Sequence, residues 1–276
     1  MRTSPFLVSA FGAGIIVTLM AGCSGTNNAG GASAFAPLDQ TSGMGRSTNG
    51  GANSIGPLSK AIACPVVKGD VPLGSAASFA VLAGTTVTST GLTILNGDLG
   101  VSPGTSITGF GPGVVNHGTI YAGGPVAAQG QADLAVGYNY ATALTNPTAI
   151  PADIGGTTIM PGLYNATTSL GITGTVTLDG EHKSNSVFIF QIPSTLTTAV
   201  RSRVKLIHEA SACNVFWQVG SSATLNTASH FRGTIMAAVS VSVSSTAQVR
   251  GRLLAESGAV TLIDDRINRF HIENRN

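Results

Sequence analysis

The sequence predicts a mainly β protein built as a triangular β-solenoid, a stack of short parallel strands that passes through three faces in each turn. One observation is a series of short apolar runs, each ending at Gly, Asn or Pro, such as FAVLAG, NSVFIFQI and NVFWQV; this pattern is typical of strands that end in tight turns. The other is internal repetition, with one repeat of 18 residues. A repeat of about 18 residues accommodates three short strands and three turns, which is one rung of a triangular solenoid.

Two pairs of segments carry the repetition. Ala223–Ala237 aligns with Val241–Ala255 at an offset of 18, and a weaker third copy begins near Ala259. Farther upstream, Val176–Ile192 aligns with Val204–Val219 at an offset of 27 or 28. A β-propeller would need longer, four-stranded repeats. The repetition therefore favours a solenoid whose rungs differ in length.

The composition agrees with this fold and excludes some partners. Glycine is abundant, with 36 residues, and only 5% of residues are aromatic, which favours strands and tight turns over helices. Charged residues make up 9% of the chain and the formal net charge is +2. No extended basic field is expected from these totals, so nucleic acid is not an expected partner.

The N-terminal segment predicts export. Arg2 precedes an apolar run from Pro5 to Met20, which is too short to be a spanning helix. Leu19–Cys23 then resembles the processing box of bacterial lipoproteins, in which the cysteine is acylated. We therefore expect a lipoprotein signal peptide over 1–22 and lipidation at Cys23, with attachment to the cell envelope at the outer membrane or cell surface. An ordinary signal peptide cleaved elsewhere is the alternative.

Composition also divides the rest of the chain. Residues 23–65 are rich in Gly, Ser and Asn and have little apolar periodicity, which predicts a flexible tether. Residues 66–270 carry the strand pattern and predict one solenoid domain, followed by a short tail over 271–276.

One segment of the domain predicts a long helix. Val126–Leu144 lies between Pro125 and Pro147 and has few strand formers. Apolar residues recur along one face of this helix, at Ala127, Leu134, Tyr138 and Ala141. We expect this face to pack against the stack of strands.

Several ordered motifs resemble a known family. They are LGSAASFAVLAG (73–84), LNGDLGVSPGTSITGF (95–110), VAAQGQADLAVGYN (126–139), MPGLYNA (160–166), VFIFQI and NVFWQV. In order and spacing they are similar to the ice-binding-protein family of secreted bacterial and fungal β-solenoids, over about Val71 to Asn268. The resemblance implies a discontinuous right-handed solenoid with one long α-helix packed along a face. It also implies that a flat face rich in Thr and Ser binds ice.

Small hydroxyl and amide residues recur in the C-terminal rungs and predict where that face lies. They alternate with Leu225, Val243 and Leu262, so strand parity directs them outward. The strip consists of Thr224, Asn226, Ser242, Ser244 and Thr261.

Some bacterial members of the family carry Thr-Ala/Gly-X-Thr/Asn repeats at the ice-binding face. Thr90 to Thr93 matches this pattern completely, whereas the segments that begin at Thr227 and Thr246 match only its first half. All four threonines are candidates, with ordinary turn residues as the alternative. His230 is the fourth residue of the segment that begins at Thr227, and Arg201 is the fourth residue of another half match that begins at Thr198. Both side chains would be bulky on a flat face.

The function implied by the resemblance is ice binding by adsorption, with antifreeze-like inhibition of recrystallisation and no catalysis. The alternative is a structural or adhesive envelope module that binds glycan or a cell-surface partner. Gly100–Gly104 fits the G-x-S-x-G pattern of hydrolases, but Pro103 lacks the N–H group that would stabilise an oxyanion. The five histidines are scattered without metal-ligand spacing, so we expect no metal and no cofactor.

Three further expectations concern structure alone. Cys64 and Cys213 are an even pair in an exported protein and are a possible disulfide, with two separate thiols as the alternative. Asp264-Asp265 lies in the last rung, where a polar end cap is expected. At least half of the four strand aromatics are expected in the core, namely Phe188, Phe190, Phe216 and Trp217.

Overall fold

The computed structural model describes Cys64 and residues 69–269. The expected signal peptide, Cys23, most of the tether and the C-terminal tail lie outside the described residues.

Short strands dominate the described part of the chain. In chain order they are β1 Phe79–Ala83, β2 Thr86–Thr90, β3 Ile94–Asn96, β4 Asp98–Val101, β5 Ser106–Thr108, β6 Val114–Asn116, β7 Ile120–Ala122, β8 Thr148–Ile150, β9 Thr158–Ile159, β10 Gly162–Ala166, β11 Leu170–Ile172, β12 Thr175–Asp179, β13 Phe188–Ile192, β14 Leu196–Thr198, β15 Arg203–Ile207, β16 Val215–Val219, β17 Ala223–Leu225, β18 His230–Ala237, β19 Val241–Val243, β20 Gln248–Ala255, β21 Val260–Ile263 and β22 Arg266–Asn268. One helix, α1, spans Gly124–Ala143, and short 3-10 turns span Gly74–Ser78 and Ala212–Asn214.

The strands stack in parallel into three faces. The helix face contains β8, β10, β13, β16, the second halves of β18 and β20, then β1, β4 and β7. The hydroxyl face is the seven-stranded sheet β11-β14-β17-β19-β21-β2-β5. The basic face contains β9, β12, β15, the first halves of β18 and β20, then β22, β3 and β6. This arrangement confirms the predicted triangular solenoid.

The order of rungs in space differs from their order in the chain. β1, β2 and β3 pair with β20, β21 and β22, so the first strands of the domain stack on its last rung. The stack is therefore discontinuous, as the family resemblance implied.

This stacking corrects the expectation that Asp264-Asp265 forms a polar end cap. The rung that contains them is covered by β2 and β3 and is internal to the stack. Asp265 is fully buried, and its carboxylate accepts hydrogen bonds from the backbone N–H of Ala247 (3.0 Å) and of Ile263 (2.7 Å).

The 18-residue repeat appears directly in the pairing of two long strands. β18 and β20 are in register over all eight residues, from His230–Gln248 to Ala237–Ala255. Both strands turn the corner between the basic face and the helix face at a glycine, Gly233 or Gly251, with positive φ. A Cβ at Gly251 would collide with the Gly233 carbonyl, so the close approach of these rungs requires glycine.

Large side chains fill the interior of the stack. Phe190 stacks on Trp217 with ring centroids 4.1 Å apart, and the Trp217 indole N–H donates to the Arg232 carbonyl. Phe188 is also buried there, whereas Phe216 is buried under the helix. At least half of the four strand aromatics were expected in the core, and all four are buried.

The helix packs along the helix face, as predicted. It begins two residues earlier than expected, because Pro125 occupies its first turn, where a missing N–H costs nothing. Its buried residues are Ala127, Gly130, Leu134, Gly137 and Ala141. The Gln191 amide donates to the carbonyls of Ala141 (2.8 Å) and Leu144 (3.0 Å), satisfying the end of the helix. Within the described residues, no helix is long and apolar enough to cross a membrane.

Candidate binding face

The hydroxyl face presents one continuous row of small side chains. Backbone pairing aligns seven positions, one from each strand: Gly171, Thr197, Thr224, Ser242, Thr261, Thr88 and Thr108. Neighbouring positions in such a ladder are about 4.8 Å apart. Six of the seven carry a hydroxyl, and none carries a charge.

Buried neighbours hold this row in place. The neighbours of the central positions in sequence, including Leu225, Val243 and Leu262, are at most 1% exposed. Because side chains alternate along a strand, anchoring these residues in the core directs the row outward. Threonine adds rigidity, since its β-branch restricts χ1 and positions the hydroxyl and methyl groups before any ligand arrives.

The rows beside it are less regular. On one side, Thr86 pairs with Ser106. On the other side, Thr90 is exposed but pairs with Ile263. Asn226 donates its side-chain amide to the Thr198 carbonyl (2.7 Å), so this amide is already engaged within the protein.

The remaining candidates lie at the edge of the hydroxyl face. Ser244 follows β19 and is half-buried. Thr227 and Thr246 are exposed in the turns that lead to the basic face. Positive φ angles at Ala228 and Thr246 mark these turns. These residues border the row and do not extend it.

Thr93 is a correction to the sequence prediction. The turn at Gly91, with φ 78°, redirects the chain, and Thr93 enters the core with no exposed surface. Its hydroxyl accepts a hydrogen bond from the Asp265 backbone N–H at 3.4 Å. Thr93 therefore supports the junction between rungs and cannot contact an external surface.

The two bulky residues that would disrupt a flat face lie outside the hydroxyl face. His230 begins β18 on the basic face, and Arg201 lies in the turn before β15, with φ 59°. Neither residue belongs to the hydroxyl row.

Sequence reasoning missed Gly171 and three hydroxyl residues of the row, Thr88, Thr108 and Thr197. A signal was present in the segment TTVTST, whose alternation predicts an exposed hydroxyl strand. Its position beside Thr261 was not readable, because β2 and β21 lie at opposite ends of the domain.

The described residues contain few polar clusters that could support catalysis or metal binding. The most concentrated polar cluster has His208 Nδ1 2.9 Å from Asp179 Oδ1, with the His182 ring 4.3 Å from the His208 ring between centroids. The backbone N–H of Glu181 is the main cause that lowers the pKa of Asp179, with His208 contributing. No group of three His, Cys, Asp or Glu in the described part of the chain is arranged to hold a metal ion.

The G-x-S-x-G segment leads into a turn. β4 ends at Val101, and the chain then continues to β5 without forming a helix. The structure thus lacks the strand-to-helix geometry that a hydrolase nucleophile requires.

Cys64 and Cys213 form a disulfide, with Cα atoms 5.3 Å apart. The bond closes a sequence separation of 149 residues. It joins the end of the expected tether to the 3-10 turn before β16.

Comparison with known proteins gives a consistent result. The family model described as "Ice-binding-like" matches residues 81–268. An ice-binding protein of Nostoc sp. (strain HG1) is 44% identical over 198 residues, covering 71% of this chain and 73% of that protein. An ice-binding protein of Flavobacterium frigoris (strain PS1) is 34% identical over 206 residues, covering 70% of this chain and 74% of that protein. The crystal structure of an ice binding protein from an Antarctic biological consortium superposes with a TM-score of 0.71 at 43% identity, covering 74% of this chain and 92% of that one.

Proposed function

Because the chain belongs to the ice-binding-like family, we propose that it binds ice by adsorption through its hydroxyl face, without catalytic turnover. One observation carries the choice of face. The aligned row of the hydroxyl face crosses all seven strands of its sheet without a charged side chain.

A crystal surface repeats in two dimensions, so a protein that adsorbs to it needs groups that repeat at fixed distances. The stack supplies a repeat of about 4.8 Å across strands and of about 6.6 Å between alternate residues along a strand. Since the positions are fixed by the core, little conformational freedom is lost on binding. Adsorbed molecules pin the crystal surface, growth bulges between them, and the resulting curvature lowers the local freezing point.

We further propose that the protein acts at the cell envelope, held by lipid on Cys23. The support is the sequence of the processing box, residues 19–23, followed by a Gly, Ser and Asn-rich tether. Cys23 lies outside the described residues. A tether of this composition would let the domain move relative to the membrane.

The test uses residues 24–276, which contain both disulfide cysteines and every described strand. Ser242 is exposed in the middle of the row, so Ser242→Tyr places a large ring on the plane while changing stability by less than about 1 kcal/mol. Thr88→Tyr makes the same change in a strand from the other end of the chain. We expect both variants to lose ice shaping and thermal hysteresis in a nanolitre osmometer.

Gln248→Tyr is the matched control, because Gln248 is exposed on β20 of the basic face. It should shape ice as the unsubstituted protein does. If crystals grow unshaped at high concentrations of the unsubstituted protein, ice binding is refuted. If only Gln248→Tyr loses activity, ice binding stands and the chosen face is wrong.

A further inference from the structure

The basic face concentrates positive charge that the composition does not reveal. Strand parity directs Arg203 and Lys205 of β15 outward, together with Arg250 of β20 and Arg266 of β22, and all four side chains are exposed. Arg232 of β18 pairs with Arg250, so five of the 14 Lys and Arg residues lie on one face. The expectation of no extended basic field is therefore wrong for this surface.

These charges are stacked in register. Backbone pairing aligns Arg203, His230, Gln248 and Arg266 in one row and Arg232 with Arg250 in the next. Like charges in adjacent rungs repel each other. Burial, with a further contribution from Arg250 and Arg203, lowers the pKa of Arg232 to about 10. Burial also lowers the pKa of His230, with Arg203 and Arg232 contributing.

These five basic side chains form no ion pair with a described residue, although Asp179 lies on β12 of the same face. Ion pairs join Lys183 to Glu181 and His208 to Asp179. Neither involves an arginine or lysine of the basic face. Arg232 donates to the carbonyl of Phe231 at 3.2 Å, whereas the other four side chains are exposed, and such a cluster is suited to an external anion.

The shape of the face determines the kind of anion. The charges spread over several rungs of an open sheet, and of the five only Arg250 lines a depression, so a small anion would meet few of them. Backbone pairing continues the second row to the amide side chains of Asn96 and Asn116. A flat, multivalent anionic surface would engage the arginines and amides together.

The proposed lipid anchor selects a membrane among such surfaces. Cys64, held by its disulfide to Cys213, lines a small depression together with Arg250, Asn268 and Arg269 at the edge of the basic face. Cys64 also lines a cavity with Leu73 and Phe216, so it lies at the corner between the basic face and the helix face. A lipid anchor at Cys23 would keep the domain close to a bilayer, where anionic headgroups attract clustered basic side chains.

We propose that the basic face docks on the anionic phospholipid headgroups of a bilayer. Docking leaves the hydroxyl face uncovered, because that face is a separate sheet around the corner of the solenoid. The setting rests on the proposed lipid anchor, but the contact itself requires neither lipidation nor ice binding.

The experiment uses residues 24–276, which lack Cys23, so that binding reports the domain. Co-sedimentation is measured with vesicles of phosphatidylcholine alone and of phosphatidylcholine mixed with phosphatidylglycerol. We expect binding only to the mixed vesicles, and its loss at an ionic strength of about 1 M, where the Debye length is about 3 Å.

The variant Arg203→Gln/Lys205→Gln/Arg250→Gln removes three charges from the basic face. Each basic side chain near an anionic membrane strengthens binding about fivefold, so partitioning should fall roughly a hundredfold. The control Lys183→Gln/Ala128→Glu/Asn139→Glu changes net charge equally at exposed positions outside this face, and should bind almost as well as the unsubstituted protein.

Three outcomes would overturn the proposal: absence of binding to mixed vesicles, equal losses in both triple variants, or tighter charge-dependent binding to immobilised polygalacturonate than to vesicles. The last outcome would assign the face to an acidic polysaccharide. Ice shaping by the basic-face variant is measured in parallel and should be unchanged, so failure of this proposal is distinguishable from failure of ice binding.

Discussion

Asp265 should make the stability of the domain depend on pH near neutrality. It lies where the first strands of the domain meet the last rung, and both of its carboxylate oxygens accept backbone N–H groups. Burial raises its pKa to about 7, from 3.8, despite these hydrogen bonds. The same junction places Thr88 beside Thr261 in the hydroxyl row.

The sign of the effect follows from linkage. A carboxyl whose pKa is higher in the folded state binds its proton more tightly there, so it stabilises the fold at low pH. That contribution is complete below the unfolded pKa and is lost as pH rises through the folded pKa. For pKa values of 3.8 and about 7, the loss between pH 5 and pH 8 is about 3 kcal/mol.

The assay is urea denaturation at several pH values for the unsubstituted protein and for Asp265→Asn. Asparagine is neutral throughout but places an NH₂ group against a backbone donor, so we expect a pH-independent cost of about 1–3 kcal/mol. Burial also raises the pKa of Glu256 and is the main cause that lowers that of His230. Both groups are present in both proteins and cancel in the difference.

The difference in unfolding free energy between the two proteins should therefore shrink, or change sign, by about 3 kcal/mol from pH 5 to pH 8. A difference that stays constant across this range would show that Asp265 does not titrate there and would refute the reasoning.

The remaining predictions concern the core, the disulfide and the anchor. Val243→Asp buries an unpaired charge beneath the hydroxyl row and should prevent folding, seen as loss of a cooperative thermal transition; a native transition would contradict the assigned strand parity. Cys213→Ser opens a link across 149 residues and should lower the unfolding free energy by about 2–5 kcal/mol, measured in urea, while ice shaping persists in the cold. Cys23→Ser in the full chain should abolish lipid labelling and release the protein from membranes that have been washed with salt; unchanged labelling would exclude lipidation at Cys23.

The local sequence was sufficient to predict which segments of a rung align with the next rung and which of their side chains point outward. The 18-residue repeat predicted that β18 and β20 align, because equal rungs place equivalent residues in register. Alternation predicted that Thr224, Ser242 and Thr261 point outward, since their apolar neighbours must be buried. That these hydroxyls bind ice stays a prediction.

Tertiary structure alone decided the order of the rungs and therefore the extent of the hydroxyl face. Nothing local in β2 specifies that Thr88 completes a row begun by Thr261, because that pairing joins strands from opposite ends of the domain. The same stacking buries Asp265 and Thr93, which in sequence look like polar surface residues. Strand alternation is a property of a few adjacent residues, so it can be predicted from them. The choice of neighbouring rung depends on which sheet edges the rest of the stack leaves exposed for pairing, so it requires the tertiary structure.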